Sequence, residues 1–465
     1  MQTMSTRRTL PPGPKGNLLA GSFPLAARDP LALYTEWSRE FGDIFYYRSG
    51  FRRIYFLNHP DLVEQLLVTQ AQKFKKDWVL RNARWLFGNG LLTAEGAAWK
   101  RQRRFSQPMF HRERITSYAE TMTAYTQEMM AGWHAGETRS LHKDMQQLSL
   151  RIAAKSLFGI DLGDETGKFK QPLNDLTKSI SGGRLLLPAF LRFLPLPGLS
   201  RLRRVVSQLD RLVFELIAQR RRDQQPGTDL LSMLLEIKDE DGNGMSERQV
   251  RDEVITFLLA GHGTTAMALC WTWYLLSQHP AVEDRLRQEL KSVLAGGTPR
   301  FEDLPRLEYT ARVVRESMRL YPPVWAFGRT AIHDCEIGGY PIPKGAEVVA
   351  CQWTTHRDRR FFENPEKFDP DRWQSPRAQK LPKFAYFPFG GGERMCIGAS
   401  FATTEAILVL ATIAQKFRLR LLPGHPIVPA PGLTLSPKYG IEMRVEPLWM
   451  MTRASERTER VWMEK

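Results

Sequence analysis

The chain has 465 residues, with 66 Lys and Arg against 50 Asp and Glu, a formal net charge of +16. At 42% hydrophobic and 11% aromatic it can bury a sizeable core, which excludes a disordered or fibrous chain. The four cysteines (Cys270, Cys335, Cys351 and Cys396) make no disulfide framework, so a reducing compartment, the cytoplasm, is expected.

Ten residues precede Pro11-Pro12-Gly13-Pro14, a tail too short for a signal peptide or membrane anchor. Asp43 to Tyr47 and Arg53 to Leu57 predict two strands around a Ser49-Gly50 turn. Leu185 to Pro197 is strongly apolar, either core packing or a mouth that touches membrane. From Arg201 to Arg222, Val205, Leu209, Leu212, Val213 and Leu216 recur at helical spacing among arginines. Asp239, Asp241, Asn243 and Gly244 begin a calcium-loop pattern, but Val250 stands where a bidentate Glu is needed, so a solvated turn is expected.

No formal charge occurs from Val254 to Val282, longer than the about 20 residues of a membrane span. Its centre, however, reads Gly261-His262-Gly263-Thr264-Thr265, which suits a helix buried in protein beside a ligand. Pro280 opens another helix, reaching about Leu294 before Gly296-Gly297. Strand character returns between Cys335 and Val349. Phe361 to Gly398 is rich in proline and glycine, a long irregular segment of the functional kind.

Phe389-Gly390-Gly391-Gly392-Glu393-Arg394-Met395-Cys396-Ile397-Gly398 fits F-x-x-G-x-R-x-C-x-G, followed by a helical run through Ala402, Ala406, Ile407 and Leu410. A cysteine flanked by glycines can receive backbone N–H groups at sulfur, which favours thiolate and makes a strong ligand for a soft or borderline metal. On these residues the chain resembles the cytochrome P-450 family of haem-thiolate monooxygenases. The other signatures follow in order: Trp99 and Arg103 as W-x-x-x-R, Ala260 to Thr265, Glu316 and Arg319 as E-x-x-R, and Phe368 to Trp373.

The resemblance implies one mainly α domain with a small β region over residues 11–447, between tails 1–10 and 448–465. Haem, as heme b, would lie between the long central helix and the cysteine loop. Cys396 would be the axial ligand, with Phe389 and Gly398 beside it. Trp99, Arg103, Arg329 and Arg394 would hold the propionates, where cationic donors suit carboxylates. Glu316, Arg319 and Arg372 would form a buried charge network fixing the loop. Thr264 would serve oxygen activation together with Ala260 and Gly263. The family's usual acid before the threonine is Gly263 here, so protons would come through ordered water, His262 or Glu253.

Leu92, Leu259, Ala260, Val324, Ala326 and Leu435 would line an aliphatic substrate pocket, which binds by area and suits a fatty acid, terpenoid or similar lipophile. The product would be a hydroxylated or epoxidised lipophile, with O2 as co-substrate. The chain shows no flavin or iron–sulfur module, so a separate ferredoxin or flavodoxin is expected as electron donor. Lys100, Arg101, Arg104, Arg112 and Arg114 form a basic cluster that would steer an acidic donor. No nucleic-acid motif and no transmembrane segment are expected, and the protein is read as a monomer. The missing acid also motivates a peroxide-driven or rearrangement enzyme, and the remaining alternative is a non-catalytic haem binder.

Overall fold

The computed structural model describes residues 10–16, 29–162, 169, 171–172, 175–176, 197–222, 227 and 229–448. The apolar stretch at 185–196 and nearly all of both tails lie outside the described residues.

Helices carry most of the fold. The longer ones are α1 (Pro30–Phe41), α2 (Gly96–Ser106), α3 (Arg112–Ala131), α4 (Leu141–Phe158), α5 (Pro197–Arg222), α6 (Leu230–Glu236), α7 (Glu247–Gln278), α8 (Pro280–Leu294), α9 (Glu308–Leu320) and α10 (Ala399–Ala414). The amphipathic pattern beginning at Arg201 thus starts four residues earlier, because Pro197 sits well in a first helical turn.

The central helix α7 has a clear beginning and end in the sequence. Ser246 accepts the Gln249 backbone N–H at 3.3 Å, while Gln249 accepts the Ser246 N–H at 2.9 Å, a reciprocal cap. It stops at His279, where Pro280 opens α8. This helix is long and apolar enough to cross a membrane, yet 72% of its apolar window is buried inside the protein. It is the core helix. Its broadest packing is against α4, and an ideal Cβ at Gly261 would stand 3.3 Å from the Ala153 Cβ. A side chain there would push the two helices apart, so the glycine sets their spacing.

A five-stranded sheet stands apart from the helical core. Its strands are β1 (Ile44–Ser49), β2 (Arg52–Leu57), β3 (Phe74–Lys76), β4 (Phe327–Ala331) and β5 (Glu347–Ala350), in the order β1-β2-β5-β4-β3. The β1–β2 hairpin runs from Ile44↔Leu57 to Ser49↔Arg52, so Gly50 and Phe51 form the turn. Gly50 takes φ 57°, which glycine adopts without strain. The register of β3 on β4 sets Lys76 opposite Arg329, which places two cations side by side. The predicted strand region after Cys335 becomes a hairpin, Cys335–Ile337 with Tyr340–Ile342, followed by β5.

Phe361 to Gly398 holds only short helical turns, as its composition suggests. The calcium-like segment is a turn between α6 and α7: the Asp239 carboxylate accepts the Asn243 N–H at 2.8 Å and pairs with Arg101 at 3.0 Å.

Candidate active site

Cys396 sits between the short turn Gly392–Arg394 and the start of α10. Its backbone N–H donates to the Phe389 carbonyl at 3.0 Å, which closes the glycine-rich loop on itself. Burial pushes the thiol above its ordinary range, while the Gly398 N–H and the Arg103 charge pull it back. Those two are the groups that would stabilise a thiolate once a cation stands against the sulfur.

Among the four cysteines Cys396 alone is exposed, although protein surrounds it. Ala260 is likewise exposed, in the middle of a helix whose neighbouring turns are buried. Both exposures leave open space, one beside the middle of α7 and one beside the cysteine loop. Gly263, one turn from Ala260, opens into the same kind of space, since an ideal Cβ there meets no atom within 4 Å. Leu92, Leu259, Val324 and Ala326 keep partial exposure. Leu435 departs from the expectation that it lines this pocket. Its side chain is fully buried, its N–H donates to the Pro323 carbonyl at 2.8 Å, and its carbonyl accepts the Trp271 indole at 2.8 Å. It fastens the strand Leu435–Pro437 to α7 instead, and the exposed apolar side chain of that hairpin is Leu433.

The predicted propionate residues form a cluster with one addition. Arg394 pairs with Glu95 at 2.5 Å and lies 5.0 Å over the Trp99 ring, while its buried Nη1 has no partner among the described residues. Arg103 donates to the Met395 carbonyl at 2.8 Å. Burial pulls Arg329 down to about 10, with Asp77 opposing and Arg394 reinforcing the shift. The addition is Lys76. It is 5% exposed, donates to the Leu91 and Ala94 carbonyls at 2.7 Å, and is drawn down to about 7 by burial and by Arg394. A Lys-Lys pair at 75–76 reads as a solvated face in the sequence. Only the strand register turns one of the two inward.

This donor set fits haem. Lys76, Arg103, Arg329 and Arg394 face few carboxylates, chiefly Glu95 and Asp77, so a ligand bearing two carboxylates would relieve their mutual repulsion. The partly exposed aliphatic side chains of Leu92, Leu259, Val324 and Ala326 suit a flat apolar ring, and the sulfur of Cys396 is the soft ligand that haem iron takes.

The Glu316 carboxylate meets Arg319 at 2.8 and 2.9 Å and Arg372 at 2.8 Å, with Glu316 and Arg319 at 0% exposure. Arg319 spends its remaining donors on the carbonyls of His356, Pro365 and Lys367. A buried ion pair of this kind survives because every charge is met by several hydrogen bonds.

Thr264 donates its hydroxyl proton to the Ala260 carbonyl at 2.7 Å, so it offers any further partner lone pairs only. His262 is buried on the side of α4, beside His142, and burial lowers it to about 4. Glu253 uses one carboxylate oxygen on the Leu91 N–H at 3.0 Å, and burial raises it to about 8. Neither contact reaches Thr264.

The basic cluster on α2 and the start of α3 is partly engaged. Arg101 donates to the Asn243 and Gly244 carbonyls at 2.7 and 2.9 Å, Arg104 pairs with Glu240 at 2.8 Å, and Arg112 lies over the Phe301 ring. Lys100 and Arg114 stay exposed beside them.

The sequence pattern describing cytochrome P-450 matches residues 11–444. The chain is 37% identical to cyclooctatin synthase of Streptomyces melanosporofaciens over 93% of its length and 95% of that protein. It is 34% identical to pentalenene oxygenase of Streptomyces avermitilis, covering 90% and 93% of the two chains. Among solved structures, retinoic-acid-bound cyanobacterial CYP120A1 superposes with a TM-score of 0.84 at 26% identity, over 94% of this chain and 99% of that one. With the fold, the cysteine loop and these likenesses in agreement, the chain belongs to the cytochrome P-450 family and is a haem-thiolate monooxygenase.

Proposed function

We propose that this enzyme hydroxylates or epoxidises a cyclic terpenoid in the cytoplasm. It would act as a monomer, with residues 11–447 as its catalytic domain, and draw electrons from a separate acidic ferredoxin or flavodoxin. The observation that carries the reading is the exposure of Ala260 on the central helix and of Cys396 in its loop, together with the partly exposed aliphatic side chains of Leu92, Leu259, Val324 and Ala326. Two relatives named for cyclooctatin and pentalenene support a terpenoid over a fatty acid. Heme b, bound through Cys396, would supply the activation of dioxygen and the transfer of one oxygen atom.

The side chains divide the remaining work. Lys76, Arg103, Arg329 and Arg394 would neutralise the two propionates, and Trp99 would back Arg394. Leu92, Leu259, Val324 and Ala326 would hold the substrate by contact area, at about 25 cal/mol per Å2 buried, which orders a rigid polycyclic skeleton with little loss of entropy. Thr264, its own proton committed to Ala260, would accept a hydrogen bond from an ordered water. That water takes the place of the acid absent at Gly263. Lys100 and Arg114 would steer the donor to the face of α2 and the start of α3.

A titration of the ferric protein with cyclic diterpenes, cyclic sesquiterpenes and straight-chain fatty acids tests the substrate class. A saturable low-to-high-spin change with one terpene class supports the reading. Saturation by fatty acids alone overturns it.

A further inference from the structure

We infer that His356 is a positioning residue for Cys396, its ring carrying the order of the Glu316–Arg319–Arg372 network into the loop that holds the cysteine. The inference rests on Cys396 being the iron ligand. His356 ends the short helix Gln352–Thr355 and is fully buried. Its backbone carbonyl accepts Arg319 Nη1 at 2.9 Å. Its ring Nε2 accepts the Phe387 backbone N–H at 2.9 Å. Two further hydrogen bonds continue the line: Gly390 N–H to the Phe387 carbonyl at 2.9 Å, and Cys396 N–H to the Phe389 carbonyl at 3.0 Å. One residue therefore joins the buried guanidinium to the first residues of the cysteine loop.

The chemistry explains why an imidazole stands there. The Phe387 N–H is buried and needs an acceptor, but the site lies between two guanidinium groups. Burial and the guanidinium charges of Arg319 and Arg357 hold the ring in its neutral form against the opposing backbone carbonyls of Arg319 and Met318, which leaves Nε2 free to accept. The proton must then be on Nδ1, which is buried and finds the backbone carbonyls of Arg319 and Met318 near the ring. Ring contacts with Tyr386 at 5.1 Å and Phe387 at 5.2 Å fix the direction of the Nε2 acceptor.

Three variants of the holoenzyme separate the hydrogen bond from packing. In His356→Gln the amide oxygen reaches about as far as Nε2. In His356→Asn it falls short, and His356→Leu has no acceptor. The readouts are haem per chain, the ferric–ferrous reduction potential, and the rate in mild urea at which the ferrous carbon monoxide complex loses its thiolate-type Soret band. His356→Leu and His356→Asn should lose the band about tenfold faster than wild type, the effect of one buried hydrogen bond. His356→Gln should stay within about twofold of wild type. Equal loss in the Gln and Leu variants, or wild-type behaviour in the Leu variant, overturns the inference. Should His356→Leu fail to fold, equal rates in the Gln and Asn variants overturn it. A wild-type enzyme without the thiolate band refutes the assignment of Cys396 itself, and the inference with it.

Discussion

Gly263 is where a small change should alter both stability and chemistry. Its backbone is in the interior of α7, outside the left-handed region, and an ideal Cβ meets nothing within 4 Å. Gly263→Ala should therefore stabilise the enzyme by about 0.5–1 kcal/mol, since it restricts the unfolded chain without a clash. In a chain this long that shifts the melting midpoint by only about a degree, so urea titration is the better measure. Gly261→Ala is the internal control: its Cβ would press on Ala153 at 3.3 Å, and the gain should shrink or reverse. Gly263→Glu then adds a proton donor next to Thr264. A positioned general acid is worth on the order of a hundredfold or more in a proton-transfer step. Because product and released hydrogen peroxide compete for the same electrons, the yield should rise at least about twofold before it saturates. The assay is product formed and peroxide released per reduced nicotinamide consumed, with a saturating substrate. A folded, haem-loaded Gly263→Glu enzyme with the same yield as wild type refutes the reasoning. A Gly263→Ala enzyme with the yield of the Glu variant refutes the acid and assigns the effect to filled space.

Glu316→Ala should cost about 3–5 kcal/mol, because it leaves Arg319 buried with its charge unmet; haem per chain should fall with it, and full loading would contradict the role given to this network. Glu405 on α10 has 0% exposure, and burial raises it to about 8 from an ordinary 4.5 against the pull of the nearby Ser149 hydroxyl. The folded state thus keeps a proton that the unfolded chain releases, and stability falls as pH climbs from 4.5 toward 8. Glu405→Gln should gain about 3 kcal/mol at pH 7 and about 1 kcal/mol at pH 5 in urea titrations; a gain independent of pH would contradict this origin. Charge reversal of Lys100 and Arg114 together should slow electron transfer from an acidic donor severalfold at low salt, an effect that should vanish at high ionic strength. A rate loss that persists in high salt would point to a damaged fold instead.

The parts of the site legible in the sequence are those held by local spacing. Phe389 to Gly398 forms one closed loop whose own backbone bonds position Cys396, so ten consecutive letters carry it. Glu316 and Arg319 are one helical turn apart, and Ser246 with Gln249 marks the start of α7 in the same local way. Lys76 was not legible, because its inward direction depends on the pairing of β3 with β4. Nor was His356, whose partners Arg319 and Phe387 lie on either side of it and tens of residues away. Leu435 went astray for a related reason: an aliphatic residue near a pocket can face it or turn its back, and here backbone bonds to Pro323 and Trp271 decide the matter.

The parallel pairing of β2 with β5 sets Ile54 against Glu347, and the sheet built on that pairing joins Lys76 to Arg329. Contacts that distant in sequence form slowly, and on the ribosome they must wait for the later partner to leave the exit tunnel. Helices α3 and α4 can form while synthesis continues, but the cations meant for the cofactor cannot gather until Arg329 and Arg394 have both been made. Haem capture therefore belongs to the last part of synthesis or later, once the cysteine loop has emerged. A nascent chain truncated before β5 should be helical, protease-sensitive and unable to bind haem.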